Sequence, residues 1–137
     1  TYEDLVLGFR AALQGRISVI KEELVSYRLG FGITSSDAYL KDVASFKKRR
    51  LNGFVAQKAV MQQRESDARE FGLSEQSPVM RILKKEQCKA ELGISYYQDT
   101  SSAFVEKTLR HPVLMLTTVR AERRRARKFM ASHKPAE

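Results

Sequence analysis

Cysteine, histidine and tryptophan are scarce in this sequence. The single cysteine among 137 residues, Cys88, excludes an internal disulfide framework and a four-cysteine zinc site, and leans towards a reducing compartment. Two histidines, His111 and His133, with no His-Glu-x-x-His or Cys-x-x-Cys spacing, offer no persuasive metal site. The longest near-apolar run, Val113 to Val119, has seven residues, two of them threonine. Roughly 20 are needed to cross a bilayer, so no integral membrane segment is expected. The chain opens on Thr1 without a charged-then-apolar leader. A soluble protein is expected, either processed organellar or cytoplasmic, and the compartment stays open.

Catalytic constellations are as sparse. Ser18 with Lys21, and Ser45 with Lys48, match Ser-x-x-Lys, but without companion motifs they read as chance in a basic chain. Gly30-Phe31-Gly32 matches the start of a dinucleotide loop, yet a helical pattern precedes it and Ser35 replaces the last glycine. No Gly-Lys-Ser/Thr phosphate loop occurs. The expectation is a non-enzymatic chain with no cofactor, no metal and no catalytic residue.

Apolar residues make up 42% of the chain and charged residues 30%, enough for one globular domain with a core. No sustained alternating run rich in Val, Ile and Thr occurs, so the expected class is all-α, with five or six helices in a single compact domain over 1–131 and a flexible tail over 132–137. Tyr2, Val6, Phe9, Leu13, Ile17, Ile20, Leu24 and Tyr27 step at helical spacing and predict a long N-terminal helix of about 28 residues, with Thr1 and Asp4 as a capping box. A second helix is expected from the Thr34/Asp37 capping box to about Arg50. From Gln62 to Glu70 almost nothing is apolar, which reads as a solvated helix end or a protruding helical arm. Ser77-Pro78 opens a helix to about 91, Ser101 or Ser102 a short one to about Arg110, and Pro112 a last one to about Ala131. Phe31-Gly32-Ile33-Thr34, Phe71-Gly72-Leu73-Ser74 and Leu92-Gly93-Ile94-Ser95 read as helix-end punctuation. Cys88 reads as a small buried hydrophobe.

Charge is where the sequence is richest. Lys and Arg number 25 against 16 Asp and Glu, a formal +9. By segment the balance is 0 for 1–34, +3 for 35–73, +1 for 74–95 and +5 for 96–137. Between Thr117 and Lys134 seven cations face one acid, Glu122, and six of them fall within nine residues. At helical rotation Arg120, Arg123, Arg124, Arg127 and Lys128 occupy an arc of about 140°. Met115, Val119, Ala126, Phe129 and Met130 share the far side, which Glu122 interrupts. Such a basic amphipathic helix has one face to dock and one to present. A C-terminal dipole and solubility also explain cations there. Arginine's planar fork, however, suits paired hydrogen bonds to carboxylate or phosphate.

Lys47-Lys48-Arg49-Arg50 forms a second basic cluster, placed by this reading in the last turn of the second helix, where the dipole favours cations. Tyr96 and Tyr97 read as loop residues, available for stacking or as one ring capping the core. The expected function is that of a basic helical assembly or linker subunit docking on acidic protein surfaces in a multi-subunit complex; a homo-oligomer is a further expectation, from the apolar surface of the long first helix. The alternative is an RNA- or DNA-binding protein contacting phosphates through the same arginines, with the helix after Ser77, carrying Arg81, Lys84 and Lys85, as a weak recognition helix.

Overall fold

The computed structural model describes residues 3–18, 42–98 and 101–132. They form five helices, α1 (Glu3–Leu13), α2 (Val43–Glu70), α3 (Pro78–Gln98), α4 (Ser101–Arg110) and α5 (Pro112–Ser132), and no strand occurs among the described residues. The class is all-α. The capping box at Thr34 and Asp37, the glycine pair at 30 and 32, and the tail beyond Ser132 lie outside the described residues, as does the part of the expected long first helix beyond residue 18.

That long helix is not what the described residues show, because α1 stops at Leu13. Gly15 takes φ +64°, a left-handed conformation that costs glycine little. The Gly15 amide donates to Ala12 O and the Arg16 amide to Ala11 O, the paired bonds of a Schellman closure. Ile17 is exposed. The apolar surface of a 28-residue helix therefore no longer supports self-association.

The spine of the fold is an antiparallel hairpin of α2 and α3. Asp42 caps α2, its carboxylate accepting from the Ser45 amide at 2.6 Å. A second Schellman pair closes the helix, with the Gly72 amide on Arg69 O and the Leu73 amide on Ala68 O. Ser77 then caps α3 through the Met80 amide at 3.2 Å. Lys58 pairs with Glu91 at 2.9 Å halfway along the hairpin. Near the turn Glu75 receives Arg69 at 2.7 Å and Lys84 at 2.6 Å.

The hairpin is covered at both ends. α1 lies on the C-terminal half of α2, where Val6 and Phe9 pack against a core of Val60, Met61, Ala68, Met80 and Leu83. Here Asp67, 2% exposed, accepts two hydrogen bonds from Arg10 at 2.8 Å and one from Gln63 at 3.0 Å. The stretch from Gln62 to Glu70 is thus not a protruding arm: its apolar contribution is small because part of what α1 covers is a carboxylate. At the other end α5 crosses the start of α2, where Phe46 stacks on Phe129 with centroids 4.7 Å apart.

α2 continues past Arg50, the expected end of the second helix, through Asn52-Gly53 to Glu70, and the break expected at Leu92-Gly93-Ile94 is absent, α3 running on to Gln98. The reason at Gly93 is packing. A Cβ there would stand 2.5 Å from the Phe54 ring, which is itself held between Tyr97, at 6.1 Å centroid to centroid, and the Arg50 guanidinium, 5.1 Å away. The missing side chain lets α2 and α3 approach.

These two helical glycines predict opposite responses to the same substitution. Gly93→Ala sets an overpacking cost of about 1–3 kcal/mol against a helix-propensity gain of about 1 kcal/mol, so it lowers stability. Gly53→Ala meets open space and raises stability by up to about 1 kcal/mol. Urea unfolding midpoints read both; an upward shift for both variants would contradict the close approach at Gly93.

Candidate functional site

The inward face of α5 is set by Met115, Glu122 and Phe129, all buried and spaced by seven residues, with Thr118, Val119 and Ala126 partly buried beside them. Met130, read from the sequence as part of this side, is exposed instead. Glu122 is 1% exposed. A carboxylate so placed is tolerable only if its charge and lone pairs are met. Arg50 donates to it from Nε at 2.8 Å and from Nη2 at 2.9 Å, the Tyr97 hydroxyl donates at 2.8 Å, and Arg125 completes the set from one turn on. Burial raises the Glu122 pKa, but the bonds from Arg50, Tyr97 and Arg125 outweigh it and hold the carboxyl below its ordinary range. Burial first, and Glu122 second, push the Tyr97 phenol up, so it stays a donor.

With its one acid turned inside, every charge that α5 presents outward is a cation. Arg120, Arg123, Arg124, Arg127 and Lys128 are all exposed, and none makes an ion pair among the described residues. The space between their side chains, about 880 Å³, is lined by this helix alone, so it is an open brush and not an enclosed cavity. Val113 and Leu116 continue the same face towards the start of the helix, both exposed.

The second basic cluster lies elsewhere on its helix than the sequence suggests. Lys47, Lys48, Arg49 and Arg50 fall in the second turn of α2, not the last turn of a helix, so the dipole offers them nothing. Lys47 and Lys48 are exposed, Arg49 is half-buried, and Arg50 is withdrawn into the pair with Glu122. The Phe46–Phe129 stack brings this turn beside the second half of α5. Lys47 and Ala126 line one hollow of about 210 Å³, together with Val43, Phe46, Tyr96 and Tyr97. The structure thus places Lys47 beside Ala126 of α5.

Tyr96 and Tyr97 are not loop residues; they belong to the last turn of α3, edge-on to one another at 5.0 Å. Tyr97 is committed to Glu122 and Phe46 to Phe129. On α3, Arg81 and Lys85 are exposed, whereas Lys84 is held by Glu75. Cys88 is partly buried. Among the described residues no helix is long and apolar enough to cross a membrane, and no group of three His, Cys, Asp or Glu is placed to hold a metal. The sequence reading missed the pairing of Glu122 with Arg50; the usable signal was an acid on an otherwise apolar helix face. No family model matches the chain, and no curated protein or solved structure is significantly similar to it.

Two measurements test this electrostatic centre. Arg50→Ala removes two of the four hydrogen bonds to a buried carboxylate and lowers stability by up to about 3–5 kcal/mol in denaturant unfolding. Because Glu122 titrates lower in the folded chain than its ordinary value of 4.5, its stabilising contribution is present above that pH and is lost as the pH falls through the folded value. Asp67 acts with the same sign, its carboxyl lowered chiefly by the hydrogen bonds from Arg10. Thermal unfolding midpoints therefore fall below about pH 4.5, and Glu122→Gln, although less stable at neutral pH, shows a shallower acid slope. An unchanged acid slope would remove Glu122 from the account.

Proposed function

We propose that the chain is a non-enzymatic assembly or linker subunit that docks on an acidic partner protein through the outward face of α5. One observation supports this most: the only acid of α5 is buried and paired, leaving five exposed cations unpaired on one face. Arginine forks on that face match carboxylates in pairs. The face also carries exposed apolar side chains, Val113 and Leu116, for which a phosphate backbone has no use. Phe46 and Tyr97 are occupied within the fold, which weakens the case for base stacking.

A nucleic-acid reading is favoured by one feature, the absence of any acid on that face. Salt and nuclease separate the two. For a protein partner, native capture from the source recovers a defined complex in fixed stoichiometry that survives nuclease, and Arg120→Gln/Arg123→Gln/Arg127→Gln weakens it about tenfold or more. Random RNA or DNA then binds weakly even at about 50 mM salt. Nuclease-sensitive recovery, with log K falling by about one power of salt per lost arginine contact, would replace the docking reading with the nucleic-acid one.

A further inference from the structure

The outward row of α5 reads Val113, Leu116, Arg120, Arg123, Arg127 and Met130, steps of three, four, three, four and three. All six are exposed, Val113 to 74%, Leu116 to 57% and Met130 to 50%. An alternation of three and four averages 3.5 residues, the repeat by which one helix meets another along a seam. Its layout is specific: apolar residues at both ends and three arginines in the middle.

The opposite face of the same helix shows how the chain itself satisfies this arrangement. Met115 and Phe129 stand at the ends and Glu122 at the centre; α2 answers with Phe46 on Phe129 and Arg50 on Glu122. The outward row repeats that plan with the charge inverted. Resting on the docking function proposed above, we infer that this row is the docking site of a partner protein's amphipathic helix, one with carboxylates at its middle and apolar residues at its ends.

Charge and period select this occupant over others. A second copy of the chain would set arginines against arginines, since the acid of α5 is turned inward. An extended acidic peptide offers one side chain per about 6.6 Å on a face, whereas the row repeats every 5.2 Å or so, the spacing of another helix seam. From Val113 to Met130 the rise is about 26 Å, which sets the partner helix at about 18 residues. Arg124, flanking the row, adds a position for one further acid.

The test uses the full chain and a labelled peptide of about 21 residues carrying Leu at the outer seam positions and Glu at the three central ones. Two controls accompany it: the same residues scrambled off the helical period, and a version with Lys in place of Glu. The expected result is one-to-one binding, with a gain of peptide helicity, about tenfold or more tighter than the scrambled peptide. Arg120→Gln/Arg123→Gln/Arg127→Gln removes that advantage, Val113→Ala/Leu116→Ala weakens it, and Arg120→Glu/Arg123→Glu/Arg127→Glu transfers binding to the Lys peptide. Should a variant lose its fold, the three peptides on the unaltered chain still decide. Equal binding of the scrambled acidic peptide overturns the helix seam while leaving an acidic protein partner in place. No binding of the seam peptide up to about 1 mM also overturns the seam, as does a dimer of the chain that the peptide disrupts. Loss of the docking function itself would show separately, as native capture indifferent to the three arginines.

Discussion

A carboxylate out of contact with water has to be answered by cations and hydroxyls, and the arrangement of this chain depends on how Glu122 is answered. Three helices contribute: α2 through Arg50, α3 through Tyr97 and α5 through Glu122 itself and Arg125. None of these bonds can form unless α5 lies with its acid towards the hairpin. That orientation decides which side of α5 meets solvent, so the rotation of the basic face follows from the placement of one acid. Buried ion pairs contribute little net stability against an apolar alternative of the same shape, but a register without the pair is heavily disfavoured. Here the pair acts on rotation and register, and the Phe46–Phe129 stack beside it supplies the apolar burial.

The same solution appears at the other end of α2, where Asp67 is met by Arg10 from α1 and by Gln63 one turn before it. A helix of 28 residues gripped by different neighbours at its two ends has no reason to gather its apolar residues on one stripe. Its first half faces α5 and the end of α3; its second half faces α1 and the start of α3. Each contact patch is small, and each is pinned by a fully hydrogen-bonded buried acid, so no polar side-chain atom is left buried without a partner among the described residues.

Helices that end by local rules were legible in the sequence. Pro112, the Ser77-Pro78 cap and the Phe71-Gly72-Leu73 closure act over a few residues, and each stands where a local reading places it. What depends on a distant partner was not. Gly93 carries the same local pattern as Gly72 but sits mid-helix, because the ring of Phe54, 39 positions earlier, fills the place of its side chain. Gly15 lies inside an unbroken helical spacing of apolar residues, yet it terminates α1. The cationic arc of α5 was readable because it needs only helical period, whereas the withdrawal of Arg50 from the surface required knowing that Glu122 faces it. An acid on an apolar stripe looks anomalous alone, and an arginine in a basic run looks ordinary. Together they describe one bond.

The pairings also change what the net charge means. Arg50 with Glu122 and Arg10 with Asp67 are neutral pairs in which the acid is buried, so they cancel within the fold and leave the excess of +9 to the remaining surface. On α5 this excess is undiluted, since no carboxylate shares the face. A field of one sign over several turns attracts acidic groups from beyond contact distance and repels other copies of the same chain. Attraction of that kind governs encounter more than final affinity, and it does not distinguish one acid from another. Discrimination has to come from shape and from the apolar side chains at the two ends of the arginine row, which gain only when a partner covers them while its carboxylates lie between.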